Sequence, residues 1–169
     1  MRIIRFPSIS EHQFVGCVAA FVDSLFGELH TAAIALRRLE GKEKGDAFAY
    51  EMDLDQRRYG ALIVLDRWSS VVGTFGPHIQ LSQRPGIVED AQNRIAAAEE
   101  TLRRANNLID AAPAYTPELV EVCVTAFQTL KTIFTEERAS TEQWSLLGPM
   151  QPEDYREARR IFLEDLAAR

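Results

Sequence analysis

The sequence predicts an all-α fold, a single-domain bundle of about five helices over residues 1–169 with one long Gly/Pro loop. Three observations predict it. Apolar residues recur three or four apart over long stretches, the period of a helical stripe. The stretches are separated by short runs of Gly, Pro and charged residues. With 169 residues and 46% hydrophobic content, the chain can bury one substantial core and has little room for a second domain.

The first helix is expected to start near Ser10, a good N-cap, and to end at Gly41. Phe14, Val18, Phe21, Leu25, Leu29, Ala32, Leu36 and Leu39 form its stripe. Its opposite side is unusually apolar: Gly16, Ala20 and Gly27 lie there, and Asp23 is the sole charge between Phe14 and Phe26. A helix apolar nearly all round is expected to be buried on more than one side.

The charged turn "GKEKGD" leads to a second helix over about Leu54 to Val72. Leu54, Ala61, Leu65, Trp68 and Val72 make its stripe, Arg58 intrudes, and Tyr59, Leu62 and Ile63 broaden its apolar surface. The stretch "GTFGPHIQLSQRPG" then carries three glycines and two prolines in fourteen residues and reads as a long loop.

The third helix has the clearest pattern, with Val88, Ala91, Ile95, Ala98, Leu102, Ala105, Ile109 and Ala112 alternating large and small. Alanine at every second contact implies close antiparallel neighbours. Glu99 with Arg103 and Glu100 with Arg104 are i,i+4 pairs on its outer face. Pro113 ends it. Thr116 then serves as N-cap and Pro117 as first residue of a fourth helix to about Arg138. Leu119, Val122, Ala126, Leu130 and Ile133, with Val120, Cys123, Phe127 and Phe134, predict burial on two sides. A connection with one short turn around Trp144 leads to a last helix over about Pro152 to Ala167, with Tyr155, Ala158, Phe162 and Leu166 inward.

Charge and motifs exclude several classes of function. A net charge of −6 disfavours a protein that neutralises many nucleic-acid phosphates. The longest charge-free apolar run, "FVGCVAAFV", has nine residues, whereas a membrane span needs about 20. The N-terminus lacks the features of a signal peptide, so a cytoplasmic protein is expected. Cys17 and Cys123 are far apart and in apolar runs, which predicts buried free thiols. Only three of the nineteen basic residues are lysines, a bias that favours a bacterial or phage source. No Glu-x-x-His pair, His-Glu-x-x-His motif, phosphate loop or nucleophile elbow is present, so no metal, cofactor or catalytic residue is assigned and enzyme activity is disfavoured. Asp66 interrupts the second helix and is expected to pair with an arginine or to lie at the surface.

His30 is the residue that most invites a chemical role. Its place on a long helix of an all-helical domain loosely resembles a histidine phosphotransfer domain or the dimerisation helix of a sensor kinase. The resemblance covers one helix. Phosphotransfer families place a lysine three residues after the histidine and a small residue next; Ala33 and Ile34 stand there. Kinase helices follow the histidine with an acid, then a basic residue and a proline; this chain reads Thr31, Ala32, Ala33 and has no proline at that place. Arg5 and His12 have the spacing seen in all-helical ribonucleases of the HEPN class, but Pro7 breaks the helix that this motif needs. The expectation for His30 is a partly buried, hydrogen-bonded ring. Asp23 shares its face but is about 10 Å away along the axis.

Two surfaces therefore carry the functional expectation. The first is the outer face of the first helix, with Gly16, Ala20, Asp23, Gly27 and His30. The second is the Gly73 to Gly86 loop, with Phe75, His78, Ile79 and Arg84. The leading reading is a non-enzymatic protein-interaction module, a small regulator, adaptor, inhibitor or immunity-type protein, whose partner is another protein or a second copy in a homodimer. The alternative is a small-molecule-binding or phosphotransfer bundle using His30 and Asp23.

Overall fold

The computed structural model describes residues 11–75 and 86–145, with side chains over 20–73 and 88–135. The described residues form four helices, α1 (Glu11–Leu39), α2 (Phe48–Phe75), α3 (Ile87–Ala111) and α4 (Pro117–Ser145). Each is roughly 40 Å long at 1.5 Å per residue. Every helix packs on its chain neighbours, and α4 closes the ring against α1. The short connections at 40–47 and 112–116 make the joined helices antiparallel, so the chain runs up and down around one core.

The stripes read from the sequence build that core. Leu25, Leu29, Ala32, Leu36 and Leu39 of α1 are fully buried, as are Leu54, Ala61, Leu65 and Val72 of α2. Ala91, Ile95, Ala98, Leu102, Ala105 and Ile109 of α3 are buried as well, and its alanines let α2 and α4 come close. Trp68 joins three helices: it stacks on Phe21 at 6.0 Å between ring centroids and tilts against Phe134 at 4.9 Å, within the favourable range for aromatic pairs. The predicted pairs on α3 also form, Glu99 with Arg103 at 3.7 Å and Glu100 with Arg104.

Local chemistry fixes the ends. The Leu119 amide donates to Thr116 Oγ1 at 3.2 Å, so Thr116 caps α4. At the same end of the bundle, the two helical hairpins clasp each other. The Gly41 amide donates to the Tyr115 carbonyl at 2.8 Å, and the Tyr115 amide donates to the Lys42 carbonyl at 2.8 Å. Gly41 makes this turn at φ +81°, a left-handed conformation that favours glycine. Tyr115 is buried, and its hydroxyl donates to Glu51 Oε1 at 3.1 Å while the Lys44 ammonium sits 4.8 Å from its ring centroid.

Several expectations change. Helix α2 starts at Phe48 because Glu51 turns back to accept the Gly45 amide at 2.9 Å, closing a turn that organises the lead-in. It continues to Phe75, since Gly73 is tolerated in a last turn and the first helix-ending residue is Pro77. The expected loop thus loses its first residues to α2, and 76–85 lie outside the described residues. Helix α4 runs past Arg138 to Ser145, because "ASTEQWS" holds neither Gly nor Pro. The expected helix over 152–167 lies outside the described residues. Val122, expected in the core, is 55% exposed. At 100° per residue it stands about 120° around α4 from the line of Val120, Cys123, Phe127, Leu130 and Phe134 that faces inward.

Candidate functional site

From Ala20 to Arg37, the outer side of α1 is open among the described residues. Burial on more than one side was the expectation for this helix, but Ala20, Asp23, Gly27, His30 and Ile34 are exposed among the described residues. A Cβ on Gly27 would meet nothing within 4 Å. These positions recur three or four apart and continue to Arg37, so they form one stripe along the helix.

Where that stripe nears the clasp, α1 and α4 enclose a groove of about 190 Å³. Its apolar lining is Leu29, Ala33, Ile34, Val124 and Phe127, of which Leu29, Val124 and Phe127 are buried. Its polar lining is His30, Arg37, Gln128 and Lys131, with no carboxylate. Arg37 lies 4.0 Å from Glu121 beyond the groove, with both side chains at least half exposed. Such a pair contributes little and leaves the guanidinium open to a further partner.

His30 corrects an expectation. Its ring is exposed at the groove edge instead of partly buried, and it has no hydrogen bond among the described residues, because its position on α1 faces away from the core line of Leu25, Leu29 and Leu36. Asp23 is exposed on the same stripe, and Asp66 is at the surface as expected. Gly16 falls in α1 ahead of the described side chains, and Phe75 lies in the last turn of α2 instead of a loop. His78, Ile79 and Arg84 lie outside the described residues. The structure therefore joins Ala20, Asp23, Gly27 and His30 on one face. It adds Arg37, Gln128 and Lys131, which the sequence reading left out of the site. Lys131 is one of only three lysines in the chain, the one trace of it in the sequence.

A second polar cluster lies between α2 and α3. Arg58, the charge that interrupts the α2 stripe, has a side chain only 4% exposed. It donates to Asp110, to Asp55 Oδ1 at 2.9 Å and to the Asn106 carbonyl at 3.5 Å. Its guanidinium also stacks 4.5 Å from the Tyr59 ring centroid, and the Tyr59 hydroxyl donates to Asp110 Oδ2 at 3.1 Å. Burial pulls the Arg58 pKa down, but the hydrogen bonds with Asp110 and Asp55 outweigh it and leave the pKa raised. The Arg58 hydrogen bond in turn holds the Asp110 carboxyl below its usual value. This cluster knits two helices together. Nearby, burial pushes the free Cys123 thiol up to about 11, a protonated and unreactive state.

Among the described residues, no group of three His, Cys, Asp or Glu side chains is placed to hold a metal ion. No described helix is long and apolar enough to cross a membrane. No protein-family model, curated protein or solved structure matches the chain.

Proposed function

We propose that this chain is a non-enzymatic protein-interaction module whose partner docks on the outer face of α1. The observation that carries the reading is the stripe Ala20, Asp23, Gly27 and His30, which the four described helices leave exposed and which runs into the α1/α4 groove. Small side chains on that stripe allow another backbone to come close, and the groove beside it offers an apolar floor. The module serves as a cytoplasmic regulator, adaptor, inhibitor or immunity-type protein of bacterial or phage origin. Its partner is another protein or a second copy of the chain. The test is affinity capture from the source cell with the full chain and with Ala20→Arg and Gly27→Arg. A specific partner retained by the wild type and lost from both variants, with helicity unchanged, supports the reading. Retention by both variants places the interface elsewhere.

A second reading, phosphotransfer or small-molecule binding through His30 and Asp23, is favoured by the exposure of both side chains. The groove volume argues against the small-molecule form, since about 190 Å³ is below the roughly 300–1,000 Å³ of ligand pockets. Stoichiometric phosphorylation that disappears in His30→Ala would establish the phosphotransfer form.

A further inference from the structure

We propose that the α1/α4 groove receives an acidic amphipathic helix of a partner protein, with one apolar anchor on the groove floor and carboxylates reaching His30, Arg37 and Lys131. The inference rests on the interaction reading above and names the chemistry of the partner. Three observations carry it.

The first is charge. The chain has 25 acidic against 19 basic residues, yet the groove lining contains two permanent cations, one imidazole and no carboxylate. The imidazole of His30 and the ammonium of Lys131 have no hydrogen bond or ion pair among the described residues, and the Arg37 contact with Glu121 is a loose, exposed one at 4.0 Å. Local charge opposed to the overall balance favours an anionic occupant, because complementary potentials select and steer partners.

The second is size. A groove of about 190 Å³ is too small for most free ligands but accommodates one large side chain delivered by a partner. Its floor is already packed, with Leu29, Val124 and Phe127 buried, so an anchor would meet a formed apolar surface.

The third is register. Helices α1 and α4 run antiparallel, so Arg37 marks the clasp end of the groove while His30 and Lys131 mark the other end. His30 and Arg37 are seven residues apart, about 10 Å along the axis. A helix lying in the groove would meet those cations with acids about two turns apart, on either side of its anchor. This is the helix-in-groove mode of recognition, with charge setting the register.

The test uses the full chain and two soluble helical peptides of about 20 residues, long enough to hold helix in water. One carries a central Phe flanked by glutamates at seven-residue spacing; the other has lysines in their place. Anisotropy titrations and amide shift mapping are read together, and circular dichroism checks each variant. The glutamate peptide should bind at least about tenfold tighter than the lysine peptide. It should perturb residues 29–37 and 124–131, and the preference should weaken with rising salt. In the double variant Arg37→Glu with Lys131→Glu, the preference should invert. Equal binding of both peptides, absence of binding, or perturbation away from the groove overturns the inference. So does a dimer by light scattering that dissociates in the double variant, which would make a second copy the occupant. If a captured partner still depends on Ala20 and Gly27 while the glutamate peptide fails, the interaction reading stands and the acidic-helix inference falls. Loss of both dependences removes the two together.

Discussion

Arg58 of α2 and Asp110 of α3 form an ion pair across the interface of their helices, with the arginine side chain 4% exposed and the aspartate 46% exposed. The asymmetry decides what each substitution costs. Arg58→Ala removes a buried side chain that fills space in the core, and should destabilise by about 2–4 kcal/mol. Arg58→Met keeps much of the volume and needs no charged partner, so it should cost far less. Asp110→Ala should cost only about 1 kcal/mol, because the carboxylate is half solvated and Asp55 still pairs with the guanidinium. Urea unfolding midpoints of the three variants would show this order; equal losses would mean that the pair acts as an indivisible unit.

The same pair sets an acid limit. Asp110 is held below its ordinary value by the Arg58 hydrogen bond, so its folded pKa lies under the unfolded value of about 3.9. Its contribution is therefore fully present above that value and is lost as pH falls through the folded pKa. The stability difference between wild type and Asp110→Asn should be constant through neutral pH and shrink below about pH 4. A difference that persists unchanged into strong acid would contradict the assigned pair.

How much of this was legible in the sequence follows from how local each cause is. The Thr116 cap is a contact three residues long, and the α3 stripe repeats on one helix, so both could be read directly. Arg58 could be seen only as an interruption, because its partner Asp110 is 52 residues away. The groove was less legible still: Ile34 and Arg37 meet Val124 and Lys131 only because α4 closes the ring against α1. No pattern within either helix states that closure. His30 departs from its expected burial for a related reason, since the apolar outer side of α1 implies a covering element that the described helices do not supply.

Glycine substitutions separate turn from surface. Gly41→Ala places a side chain at φ +81° in the clasp and should cost about 1–2 kcal/mol. Gly27→Ala sits on an open helix face with nothing within 4 Å of the new Cβ, and should stabilise by about 0.5–1 kcal/mol. Opposite shifts in thermal midpoint are expected. If Gly27→Ala also weakens capture of the partner, the small side chain is needed for contact rather than for folding.

Cys123 offers a probe of core opening. Its thiol is fully buried and raised to about 11, so the native state presents almost no thiolate near pH 8. In a Cys17→Ser background, labelling of Cys123 should be slow and should follow the opening of the bundle, accelerating in Arg58→Ala. Rapid labelling without denaturant would place this part of α4 in frequent local opening.

Asn106 gives the most counterintuitive expectation. It is 4% exposed, and neither its side-chain amide nitrogen nor its oxygen has a hydrogen-bond partner among the described residues. Its backbone carbonyl accepts from Arg58, which any residue at this position can supply. Burying an amide without partners costs about 1–3 kcal/mol, whereas an apolar side chain of similar shape carries no such penalty. Leucine is close in size and is a better helix former than asparagine. Asn106→Leu should therefore raise stability by about 1 kcal/mol or more, seen as a higher urea midpoint with an unchanged slope. A lower midpoint would show that the amide holds a bound partner worth more than its burial costs. The core between α2 and α3 would then be polar by requirement, with Asn106 joining Arg58 and Asp110 in a single network.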